Sequence, residues 1–129
     1  MFLNKLKSAI KSNTFLAIFF DYMISKTGLN VSEWMENVQD LGAGEVLLTS
    51  VDCDGTMRGM DLELIRSISG IVDLPVIASG GFTNDDPIED LIREGMISGI
   101  AIGASLHRED VNISSLKKRL HANGINVRI

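Results

Sequence analysis

Two carboxylates two residues apart, Asp52 and Asp54, stand in the polar, glycine-bearing stretch 50–60. A carboxylate in such a loop serves as general acid or base when burial or a neighbour tunes its pKa. The same residues also suit a plain turn, because Asp-Gly is a common turn dipeptide and Asp52 can hydrogen-bond the loop backbone. Both readings stand on residue chemistry alone. Two runs of small residues, Ser79-Gly80-Gly81 and Gly103-Ala104-Ser105, suit a different task. Gly80 and Gly81 carry no Cβ, so an anion can come close to the backbone. Phosphorylated ligands are commonly held by backbone N–H groups and helix N-termini. A helix starting near Asp86 adds its positive end, although Asp85 and Asp86 would compete there with a bound phosphate. Glycines mark ordinary turns too. Two small turns after consecutive strands strengthen the reading of a phosphate cradle.

Other reactive side chains carry less. Cys53 has no histidine near it in sequence, and an unreactive thiol is the expectation. His107 and His121 lack metal-ligand spacing, so no metal or other cofactor is expected. Trp34 falls on the apolar side of its helix and reads as core. The run Lys117-Lys118-Arg119 reads as a solvated helix end that complements the helix dipole.

These residues need strands and helices to position them, and the chain supplies both in alternation. Residues 15–20 are continuously apolar, as a strand buried on both faces would be. Val31, Trp34, Met35 and Val38 then recur at helical spacing, with Ser32 as a candidate cap and Gly42 just past the end. Strands follow at 45–49, 75–78 and 100–102. Helices start at Asp61 and near Asp86, with Pro87 suited to a first turn, and a last helix covers 113–122. Four βα units in series imply parallel strands with right-handed crossovers. Both a (β/α)₈ barrel, of which four units make half, and an open doubly wound sheet satisfy that pattern. In either, ligands meet the C-terminal ends of the strands, where the small and acidic residues stand.

Bulk properties narrow the class. At 129 residues the chain is one domain, and 45% hydrophobic residues describe a globular α/β protein. A net charge of −5 argues against nucleic acid as partner. One cysteine excludes an internal disulfide and fits a reducing, cytoplasmic setting. Lysines 5, 7 and 11 precede the apolar run 15–20, but that run is short, stops at Asp21 and lacks a small-x-small cleavage site. It is far too short to span a membrane, and a buried strand is the expectation.

The stretch from Gly42 through Leu47-Leu48-Thr49-Ser50-Val51-Asp52-Cys53-Asp54-Gly55-Thr56 closely resembles the sixth strand and following loop of the imidazole glycerol phosphate synthase cyclases. Gly59-Met60-Asp61-Leu62-Glu63, Pro75-Val76-Ile77-Ala78-Ser79-Gly80-Gly81 and Gly124-Ile125-Asn126-Val127-Arg128 continue the likeness in order. It covers residues 26–129, leaving 1–25 as an atypical N-terminal segment containing a strand. A sister isomerase of histidine synthesis shares Asp-Gly-Thr and Ala-Ser-Gly-Gly. Lys26-Thr27-Gly28-Leu29-Asn30 is also reminiscent of cyclase-like proteins that help amidate acetamido sugars of surface polysaccharides.

The resemblance implies the C-terminal half of a (β/α)₈ TIM barrel. It also implies a reaction in which ammonia from a glutaminase partner is joined to a ribulosyl-linked aminoimidazole carboxamide bisphosphate. The products are imidazole glycerol phosphate and an aminoimidazole carboxamide ribotide. By the same resemblance, Ser79, Gly80 and Gly81 bind one terminal phosphate, with Gly103 and Ala104 beside it. Thr49 and Asp54 face the substrate, and Glu45 matches a charged residue at the barrel floor where ammonia enters.

The departures are specific. The family has catalytic aspartates at the ends of its first and fifth strands. The first belongs to a half outside this sequence, and Asp21 is the only nearby candidate for the second, in a shortened loop. Ala104 stands where the cradle has a serine. Two classes of function follow: a cyclase half-barrel, weak or inactive alone, or a non-catalytic phosphate-binding remnant. An open half-barrel exposes edge strands and an apolar inner face, so a homodimer or a partner supplying strands one to four is expected.

Overall fold

A computed structural model describes residues 16–18 and 31–128. Asp21, the 26–30 segment and the boundary expected at residue 25 lie outside the described residues. Four parallel strands, β1 (Leu16–Ile18), β2 (Val46–Thr49), β3 (Val76–Ser79) and β4 (Gly99–Ala101), form one sheet in the order β1-β2-β3-β4. Helices α1 (Val31–Asp40), α2 (Leu62–Ser69) and α3 (Ile88–Arg93) lie between them in sequence. Two further helices, α4 (Ala104–His107) and α5 (Ile113–Ala122), follow β4.

The strand order separates the two architectures that periodicity leaves open. A doubly wound sheet reverses direction at a switch point. Here each strand pairs with the next in sequence. With right-handed crossovers, such an order stacks the helices on one side of the sheet, as consecutive staves of a barrel do.

Side-chain burial follows that geometry. On β2 and β3, Val46, Leu48, Val76 and Ala78 are buried, whereas Leu47, Thr49, Ile77 and Ser79 are only half-buried. The buried face packs with Met35 and Val38 of α1, Ile65 and Ile68 of α2, Ile88 and Leu91 of α3, and Leu116 and Leu120 of α5. Trp34 joins this core, as its spacing predicts. Burying a Leu or Ile side chain contributes about 1.5–3 kcal/mol, so this one layer supplies the main stabilising force of the fold.

Helix ends follow local chemistry. Asp61 caps α2 by accepting the Leu64 N–H at 3.0 Å, and Asn112 caps α5 by accepting the Ser115 N–H at 3.0 Å. Gly42, just past α1, takes φ +86°, open to glycine at little cost.

Some local expectations shift. Ser32 lies inside α1, because the helix already begins at Val31. Pro87 occupies the capping position before α3, and β4 sits one residue earlier than the 100–102 run. The one-turn helix α4 has too few residues for a periodic signal. Arg119 is partly exposed but not free in solvent: its Nε lies 3.1 Å from Glu89 Oε1, and its Nη1 donates to the Asn84 carbonyl at 2.9 Å. Asn123 Nδ2 also donates to Glu89 Oε1 at 3.2 Å, and Arg93 Nη2 donates to the Asn123 carbonyl at 2.6 Å. This polar clamp ties α3 to α5.

Candidate functional site

Partners in a parallel ladder point to the same side of a sheet. The register therefore puts Thr49, Ser79 and Ala101 in one row across the C-terminal edge, on the face turned away from the helices. Continuing the alternation of β2 upstream, Glu45 falls on that same face. Four residue steps separate it from Thr49, about 13 Å at the usual rise, so the two occupy opposite ends of the sheet.

Beyond the C-terminal edge lies a cleft of about 210 Å³. The loop after β2 contributes Asp54, Gly55 and Met57. The β3 end contributes Ser79, Gly80, Gly81 and Phe82. The β4 end contributes Ala101, Ile102, Gly103, Ala104 and Ser105. Both small-residue runs thus meet in one cavity, together with one of the two loop aspartates. Asp54 is the only ionisable group among the described lining residues. An anion here would be held by backbone N–H groups and hydroxyls, as in glycine-rich cradles. Thr49 stands one strand away in the same row, outside the cleft lining, and Glu45 lies at the far end. Asp52 and Asp54 are both exposed, and Cys53 is half-buried.

The glycines have a second cause that residue chemistry alone does not disclose. Gly80 and Gly81 adopt φ of +100° and +78°. A Cβ on Gly80 would come within 2.6 Å of the Ser50 carbonyl oxygen, and one on Gly81 would overlap the Gly59 carbonyl. The turn after β3 is therefore packed backbone-to-backbone against the loop after β2.

Hydrogen bonds pin that loop at both ends. Ser50 N–H donates to the Ser79 carbonyl at 3.1 Å, and Ser50 Oγ donates to Asp61 Oδ2 at 3.0 Å. At the far end, Gly59 N–H donates to the Gly81 carbonyl at 2.9 Å. Met60 N–H donates to Asp86 Oδ1 at 3.0 Å. Inside the loop, Asp54 N–H donates to the Ser50 carbonyl at 2.9 Å, and Thr56 Oγ1 donates to the Cys53 carbonyl at 2.7 Å. On the β4 side, buried Ser105 donates through its hydroxyl to the Phe82 carbonyl, joining the two walls of the cleft.

Sequence reasoning names the two small-residue walls, Ser105 among them, and Asp61 as a helix start, but misses the bracing contacts of Ser50, Asp61, Asp86 and Ser105. The Asp86 carboxylate is engaged within the fold and does not line the cleft. Asp86 is 8% exposed, and its Oδ2 also accepts the Thr83 N–H at 2.7 Å. A short-range signal existed only for Asp61, as a helix-capping aspartate. Met57 at φ +52° is a further lining residue without a sequence signal.

Comparison with known proteins shows the family. The model of a family described as histidine biosynthesis protein matches residues 8–112. The imidazole glycerol phosphate synthase subunit HisF of Methanococcus maripaludis strain C5 is 43% identical over 103 residues, 80% of this chain and 38% of its own length. The subunit of the same name from Prochlorococcus marinus strain AS9601 is 42% identical over 102 residues, 79% of this chain and 40% of its own. The chain spans about two-fifths of the length of the curated relatives it matches.

Proposed function

Because the chain belongs to the histidine biosynthesis protein family, we propose that it forms the phosphate-binding staves of an imidazole glycerol phosphate synthase cyclase. The observation that carries this reading is the convergence of Ser79, Gly80, Gly81, Gly103 and Ala104 on one cleft, with Asp54 on its rim. In the proposed complex these small residues hold one terminal phosphate of the ribulosyl bisphosphate substrate through backbone N–H groups. The phosphate anchors the substrate across the strand ends, where Thr49 and Asp54 meet its reacting portion. Asp21 is proposed as the second acid–base group of the family pair.

Ammonia reaches the substrate from the opposite end of the sheet, delivered by a glutaminase subunit. Glu45, Leu47 and Thr49 alternate along the face away from the helices, which supports a route from floor to site. The staves that close a barrel around this sheet come from outside the described residues: from the same polypeptide, a second copy or a partner chain. The open edges of β1 and β4 in the described sheet favour such pairing. Among the described residues, no helix is long and apolar enough to cross a membrane.

The test is calorimetric titration with the bisphosphate substrate, followed by turnover with ammonium salt as nitrogen source. Saturable binding and formation of both products support the cyclase reading. Binding without turnover would leave a phosphate-binding remnant. No binding to folded protein would overturn the assignment of the cleft.

A further inference from the structure

Asp86 sits just before α3, whose capping position is held by Pro87, a residue with no side-chain acceptor. Asp86 Oδ1 takes the Met60 N–H at 3.0 Å, from a residue 26 positions earlier, and Oδ2 takes the Thr83 N–H at 2.7 Å and the Thr83 hydroxyl at 3.3 Å. One buried carboxylate therefore joins the end of the loop after β2 to the loop after β3. The fit around it is close: a Cβ on Gly59, itself at φ +110°, would meet Asp86 Oδ1 at 3.4 Å. The neighbouring Gly59 N–H bonds to the Gly81 carbonyl, so the junction abuts the turn that forms one wall of the cleft.

We propose that Asp86 is a positioning residue for the cleft, setting the distance between the loop wall at Asp54, Gly55 and Met57 and the Gly80-Gly81 turn. It touches no ligand itself. The proposal rests on the phosphate reading of the cleft. A carboxylate is suited to the task because two oxygens can each accept from a different loop, and charge-assisted bonds are about twice as strong as neutral ones. Without it, Met60 N–H is left buried and unpaired, and the loop moves to satisfy it.

The experiment titrates the full chain with inorganic phosphate, beside Asp86→Ala, Asp86→Asn and, as a control for general destabilisation, Asn112→Ala. Asn112 caps α5 and does not line the cleft. Wild-type protein that binds no phosphate would defeat the phosphate reading itself, and with it the proposal. Given wild-type binding, Asp86→Ala is expected to weaken it by about tenfold while the chain stays cooperatively folded. Asp86→Asn, with one acceptor oxygen in the same shape, should recover part of that loss, and Asn112→Ala should bind as wild type. Undiminished affinity in Asp86→Ala, or an equal loss in Asn112→Ala, would overturn the assignment. So would failure of both Asp86 variants to fold, which would make Asp86 a folding residue only.

Discussion

The hydroxyl of Ser50 donates to the carboxylate of Asp61 at 3.0 Å, joining the first residue of the loop after β2 to the cap of the helix that ends it. The other oxygen of Asp61 accepts the Leu64 N–H. One side chain thus serves the helix and closes the base of the loop. Asp61→Ala is expected to cost about 1–2 kcal/mol, the upper range for a helix cap, because a second bond goes with it. Urea denaturation would measure this, with Asn112→Ala as the comparison that loses a cap alone.

Gly81→Ala should be more damaging than an ordinary glycine substitution. The new Cβ meets the Gly59 carbonyl and the Cys53 side chain, in a backbone conformation that L residues rarely adopt. A loss of more than about 1 kcal/mol is expected from the positive φ together with the overlap. Gly124→Ala supplies the contrast, since its φ of +78° is the same and nothing lies within 4 Å of its Cβ. Equal melting temperatures for the two variants would rule out the backbone packing described above.

The cradle tolerates a gain as well as a loss. Ala104 lines the cleft where the family resemblance expects serine, so Ala104→Ser adds one hydroxyl donor. Phosphate affinity should rise by roughly threefold to tenfold, the range of one neutral hydrogen bond. Titration with inorganic phosphate reads the effect directly.

Acid should weaken the clamp between α3 and α5. Burial raises the pKa of Glu89, but its own backbone N–H, Asn123 and the Arg119 guanidinium outweigh this and hold it below the ordinary glutamate value. A lowered carboxylate pKa stabilises the fold above the unfolded value of about 4.3 and loses that contribution as pH falls through the folded value. Glu89→Gln should therefore cost up to about 1 kcal/mol at pH 7, given the partial exposure of Arg119. The gap between variant and wild type should narrow as pH falls below the ordinary glutamate value and close once Glu89 is protonated in the folded chain, as thermal unfolding scans would show.

Alternation of apolar runs and helical patterns determined the four strands and four of the five helices among the described residues, and their parallel arrangement, because those follow from local periodicity and short connections. The words Leu47-Leu48-Thr49-Ser50 and Ala78-Ser79-Gly80-Gly81 carried the family, and the family model matches across them. Small residues after β3 and β4 were legible as candidate cradle positions for the same local reason: only Gly, Ala and Ser let a backbone lie open. Tertiary structure alone decided that these two runs and Asp54 share one cleft, since sheet register sets which strand ends meet. It alone showed that Gly80 and Gly81 are required by the neighbouring loop, and that the Asp86 carboxylate accepts from the Met60 N–H. Those contacts join residues 22 to 30 positions apart, and a linear pattern carries no information about which buried N–H a distant carboxylate will satisfy.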